Sequence, residues 1–201
     1  YWNTYPGCAC DVPVHLYSYS FAPKGEWSHV YPASPELQAY IEEVADRFGV
    51  RPHLRLNTEV KAARFDEDAK VWRLQLADGA VHEAQFLIAG LGQLDIPRYP
   101  DIPGKESFAG TAFHSARWDW DTPLDGKRVA VIGAAASAVQ LIPEIAPQAA
   151  QLDVYQRTPN YIVPRNDRAF ADWEKRFYAA NPWALQASRQ SIYWRSDTLF
   201  W

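Results

Sequence analysis

The spacing of apolar positions changes along this chain, and each change predicts a different kind of element. Residues 1–33 show no period. They are rich in Tyr, Pro, Ser and Gly, and Tyr5-Pro6-Gly7 and Ala22-Pro23-Lys24-Gly25 mark turns. An ordered loop of this length is usually functional. Helical spacing starts at Ser34, a good N-cap, with Pro35 suited to the first helical position. Leu37, Tyr40, Ile41, Val44 and Phe48 then make one apolar stripe, and Gly49 ends it. The expectation is an amphipathic helix packed on a sheet. Alternation follows, loosely from Leu54 to Phe65 and more cleanly over Val71–Leu76. Asp78-Gly79 signals a hairpin into a third strand, Val81 to Ala89. That strand ends in Phe86-Leu87-Ile88-Ala89, an apolar run expected in a buried strand. Gly90-Leu91-Gly92-Gln93 lets the backbone turn closely at its end, where open α/β sheets bind ligands.

Pro97, Pro100 and Pro103-Gly104 stiffen residues 95–104 and predict a domain boundary, with domains over 1–103 and 104–201. Beyond it, Lys127–Ile132 has the pattern of a buried parallel strand. It runs into the small-residue turn Gly133-Ala134-Ala135-Ala136-Ser137-Ala138, a helix over Val139–Ala146 and a second strand at Leu152–Gln156. Strand, small-residue turn, helix and strand are the start of a dinucleotide-binding βαβ unit. The turn's N–H groups and the helix N-terminus would face a pyrophosphate. Ala135 stands where the pattern has its second glycine, so simple strand–helix packing is an alternative. Arg157 and Thr158 follow the second strand where an NAD site would place an acid. A guanidinium there suits the 2′-phosphate of NADP, although a surface arginine fits the same position. From Ala169 the chain turns helical and aromatic, and the ending Leu199-Phe200-Trp201 suggests an internal piece of a longer protein.

Composition narrows the classes. The chain has 201 residues, 48% hydrophobic, and carries a net charge of -4, so no basic field invites nucleic acid. No apolar run approaches a membrane span, and no signal peptide opens the chain. Cys8 and Cys10 are expected to be ordinary reduced thiols, which points to a cytoplasmic location. No metal site is expected, and the oligomeric state is not legible. Nine tryptophans and eleven tyrosines fit a large aromatic core, and aromatics also line flavin pockets. A lone Asp11 in the first loop is more often a cap or turn residue than a site residue.

Between boundary and βαβ unit lies Phe108-Ala109-Gly110-Thr111-Ala112-Phe113-His114-Ser115-Ala116-Arg117-Trp118-Asp119. Its spacing, F-x-G-x-x-x-H-x-x-x-W-D, resembles the fingerprint of flavin-dependent Baeyer–Villiger monooxygenases. The segments Tyr1–Val12, Tyr17–Phe21 and Gln156–Asn160 are also similar to that family, and the likeness extends through residue 165. The resemblance implies an α/β protein with two Rossmann-like dinucleotide-binding domains. The FAD domain would be incomplete, with an antiparallel β insertion and a helical C-terminal segment from about residue 167. It implies FAD and NADP as cofactors, a ketone and O₂ as reactants, and an ester or lactone as product. It places Asp11 beside flavin and nicotinamide and Gln93 near the cofactor crevice. Gly133, Ala135, Ser137 and Ala138 would cradle the pyrophosphate, with Arg157 and Thr158 on the 2′-phosphate. Phe108, Gly110, His114, Trp118 and Asp119 would couple NADP binding to domain arrangement. Leu91 and Ala135 depart from the family pattern, and the family's first Gly-rich loop and its catalytic arginine are expected outside this stretch. The chain alone is therefore expected to hold little FAD and to be inactive. Two other readings remain open: a flavin monooxygenase oxidising N or S, and a non-catalytic NADP-binding module.

Overall fold

The computed structural model describes residues 3–92, 94 and 96–200. The chain is α/β and divides into two compact units, residues 45–94 and residues 1–44 with 95–201. Helix α1 (Val14–Tyr17) is a single turn within the first loop, and helix α2 (Ser34–Arg47) follows. The predicted stripe points Tyr40 and Val44 inward, while Ile41 and Phe48 stay half exposed. The helix ends as its sequence requires. Gly49 sits at φ 64°, and Val50 N–H and Gly49 N–H donate to the carbonyls of Ala45 and Asp46, satisfying two orphan acceptors.

In the 45–94 unit, β1 (Val60–Asp66), β2 (Val71–Leu76) and β3 (Val81–Ala84) form an antiparallel meander in sequence order. Phe65 pairs with Trp72 across the first turn, where their rings meet 5.4 Å apart. The Asp78-Gly79 hairpin closes through Gly79 N–H to Leu76 C=O and Ala80 N–H to the Asp78 carboxylate. Two expectations need correction. Residues 54–59 are turn and coil, not strand: Asn57 takes φ 55° and Leu56 is largely exposed, which breaks the loose alternation. Phe86–Ala89 forms no strand either, and Phe86 and Ile88 are 84% and 91% exposed. A strand exists only with a hydrogen-bonding neighbour, and this run pairs with neither sheet of the described residues.

In the other unit, β4 (Arg128–Ile132) and β5 (Gln151–Tyr155) are parallel, with Val129 opposite Leu152 and Ile132 opposite Tyr155. Parallel neighbours need a crossover, and helix α3 (Ala136–Ile145) supplies it. Leu141 and Ile145 of α3 pack against Val129, Val131 and Leu152. Tyr5 and Cys8 of the first loop and Trp118 of the fingerprint join this core. Thus three segments distant in sequence converge on one helix. A second core holds Val14, Ala22, Trp27, Tyr40, Val44 and Phe170. Helices α4 (Asp172–Ala180) and α5 (Pro182–Phe200) complete the unit. The Glu174 carboxylate accepts the Ala171 N–H at the start of α4 and takes a two-pronged ion pair from Arg168. No described helix is long and apolar enough to cross a membrane.

Candidate functional site

The turn after β4 depends on one residue that needs glycine. Gly133 has φ 118°, a conformation L-residues rarely adopt, and its N–H donates to Tyr155 C=O at 2.8 Å. That bond ties the start of the turn to the end of β5. Ala134 follows, and Ala135 is extended and gives α3 no side-chain N-cap. A bare helix N-terminus after a strand is a natural anion site. Asn160 donates its side-chain N–H to Ala134 C=O, folding the segment after β5 over the turn.

An open cavity of about 450 Å³ lies at this point. Ala134, Ala136 and Val139 line one wall, Asn160–Val163 another, and Asp11 a third. The structure thereby brings Asp11 to the βαβ turn, 129 residues away along the chain from Gln140 of α3. Of the other expected cofactor residues, Gly133 and Ala135 flank this wall, Ser137 is half buried, and Ala138 faces the core. Arg157 and Thr158 are exposed just past β5 and do not line the cavity. Gln93 lies outside the described residues.

Asp11 is held by a side chain that sequence inspection passed over. Gln140 donates Nε2–H to the Asp11 carboxylate and to Ala9 C=O at 3.1 Å. Its Oε1 accepts from Tyr5 Oη at 3.0 Å and from Ala9 N–H at 3.2 Å. Burial pushes the Tyr5 phenol up to about 12, which keeps it a neutral donor. Burial likewise pushes the Cys10 thiol up to about 11, so Cys10 is an inert packing residue whose Sγ–H donates to Val12 C=O. The sequence signal for Gln140 was a polar residue between Val139 and Leu141 of α3.

The fingerprint residues stand apart from the cavity. His114 Nδ1 accepts the Ala116 N–H at 3.0 Å, and Tyr99 meets the imidazole edge-on at 5.5 Å. Trp118 packs into the α3 core, with Phe113 edge-on at 5.1 Å. Asp119 accepts from Asp121 N–H and Thr122 Oγ1–H, bonds that hold its carboxyl below the usual range. The Phe108 ring covers Gly110, where a Cβ would lie 2.5 Å from it. These contacts shape a turn and anchor it to α3.

Residues 12–172 match the family model for pyridine nucleotide-disulphide oxidoreductases. A Baeyer–Villiger monooxygenase of Streptomyces coelicolor is 46% identical over 96% of this chain and 37% of its own length. Another, from Pseudomonas aeruginosa, is 44% identical over 95% of this chain and 36% of its own. Among solved structures, OTEMO in complex with FAD and NADP is 38% identical with a TM-score of 0.83, covering 90% of this chain and 36% of that one. Cyclohexanone monooxygenase from Rhodococcus sp. Phi1 bound to NADP+ is 36% identical with the same TM-score, covering 93% and 36%. The sequence resemblance is borne out: the chain belongs to the pyridine nucleotide-disulphide oxidoreductase family and is homologous to Baeyer–Villiger monooxygenases over about a third of their length.

Proposed function

We propose that this chain is part of an FAD- and NADPH-dependent Baeyer–Villiger monooxygenase, inserting oxygen beside a ketone carbonyl to give an ester or lactone. The observation that carries this reading is the convergence of Asp11, the 133–139 turn and Asn160 on one cavity. It occurs in a chain 38% identical to OTEMO, whose solved structure is a complex with FAD and NADP. On this reading residues 1–103 belong to a Rossmann-like FAD domain, and β1–β3 are its antiparallel insertion. Residues 104–201 belong to the NADP domain, with the helical segment from about residue 167 as an addition.

The donor set fits a dinucleotide. When bound, NADPH and FAD supply the hydride and the activation of O₂. Gly133 would make the turn, and Ala135, Ser137 and Ala138 would bring backbone N–H groups and the positive end of α3 to the pyrophosphate. Arg157 and Thr158 provide a planar fork and a hydroxyl for the 2′-phosphate, which is what selects NADPH over NADH. Asp11 would lie beside the flavin ring and the nicotinamide. His114 and Trp118 tie the two domains' arrangement to the NADP helix. A small ketone and O₂ are the reactants, and a cytoplasmic location suits the NADPH supply.

The test uses the full-length protein. Ketone-dependent NADPH consumption with an ester or lactone product is expected. Sulfoxides or N-oxides without any ester would move the assignment to heteroatom oxidation, and NADPH binding without FAD would reduce it to a binding module.

A further inference from the structure

We propose that Gln140 is a positioning residue that locks Asp11 to the NADP-binding helix, so that the helix N-terminus and the carboxylate are presented to the cofactors as one piece. This rests on the reading of Asp11 given above. A primary amide has two N–H donors and an oxygen with two lone pairs. In Gln140 all of these are used, on Tyr5, on both backbone groups of Ala9 and on Asp11. Two of the bonds grip the N–H and C=O of Ala9, two residues before Asp11, and a third reaches the carboxylate itself. The backbone comes equally close: a Cβ on Gly7 would lie 2.6 Å from the Gln140 carbonyl oxygen. On the loop's other side, Cys10 N–H donates to Pro32 C=O and Ser34 N–H to Cys8 C=O. The loop is therefore clamped between residues 32–34 and one side chain of α3. Gln140 directly follows Val139, which lines the cavity, so any displacement of α3's first turns is passed to Asp11 without a flexible link.

Orientation of this kind is where small displacements cost large factors in rate. A residue acting through Asp11 makes a prediction that general loop packing does not. In the full-length holoenzyme, Gln140→Leu should slow NADPH-driven flavin reduction tenfold or more. In an Asp11→Ala background the same substitution should change the rate less than twofold, because the group it orients is gone. Equal losses in both backgrounds would overturn the proposal. A second pair reads the contact without turnover. Gln140→Glu keeps size and both acceptor bonds but turns an oxygen toward the Asp11 carboxylate and toward Ala9 C=O. Adding Asp11→Asn restores a donor at the first of these, so the double variant should melt above Gln140→Glu alone. No recovery in the double variant would show that the two side chains do not meet. Complete absence of flavin reduction by NADPH in the wild-type protein would instead refute the functional reading, while the melting comparison would still report on the contact.

Discussion

Gly7→Ala should be among the most damaging single-methyl additions in this chain. Gly7 holds φ 75°, and a Cβ there would lie 2.6 Å from Gln140 C=O and 2.8 Å from Glu144 Cγ. A left-handed alanine costs roughly 1–2 kcal/mol. Relieving overpacking against a helix backbone costs roughly 1–3 kcal/mol more. The loss of unfolded-chain entropy offsets about 0.4–1 kcal/mol. The net expectation is about 3 kcal/mol, close to a hundredfold shift in the folding equilibrium. Gly126→Ala is the control, because Gly126 also has positive φ, at 68°, but nothing within 4 Å of its added Cβ. It should lose only about 1 kcal/mol. Urea unfolding followed by tryptophan fluorescence compares the two. A Gly7→Ala variant no less stable than Gly126→Ala would mean that the loop does not rest on α3 as described.

Arg157→Ala should weaken NADPH binding about tenfold to a hundredfold while leaving NADH nearly unchanged, since charge-assisted bonds to a phosphate are worth about 1.5–3 kcal/mol. Fluorescence titration checks this, and an unchanged NADPH/NADH ratio would remove Arg157 from the site. His15 is buried between Phe170, stacked at 5.1 Å, and Tyr178, edge-on at 4.5 Å, and burial lowers its pKa to about 4. The folded state then binds fewer protons than the unfolded chain between about pH 6.5 and pH 4. The stability linked to His15 is thus complete above pH 6.5 and lost as pH falls toward 4, by an amount on the order of 3 kcal/mol. His15→Gln should show a shallower loss than wild type between pH 7 and 4.5 in urea titrations, and parallel curves would contradict the assignment. Glu174→Ala should cost about 1 kcal/mol by uncapping α4, measured the same way.

Helix α2 and the β4–α3–β5 unit were legible in advance because their signals are local. Ser34, Pro35 and Gly49 bound an apolar stripe, and the Lys127–Ile132 run leads into small residues and a helix. The fingerprint was legible only as a resemblance, and its geometry shows why spacing alone did not disclose its use. His114 takes a backbone N–H within its own turn, and Trp118 serves the core. The Phe86–Ala89 run misled because apolar content predicts burial, whereas a strand requires a partner edge.

By itself, then, the sequence determined the elements whose caps, turns and periods lie within a few residues of one another, together with the family and its cofactor classes. The tertiary structure alone decided what meets what. Gln140 touches Tyr5, Ala9 and Asp11 across 129 to 135 residues of chain, a pairing that no period or turn chemistry encodes. Local patterns set backbone conformation because φ, ψ and capping are near-neighbour effects. Side-chain partnership across such distances depends on how packed elements close upon each other, and it is there that Asp11 gained its place at the cavity.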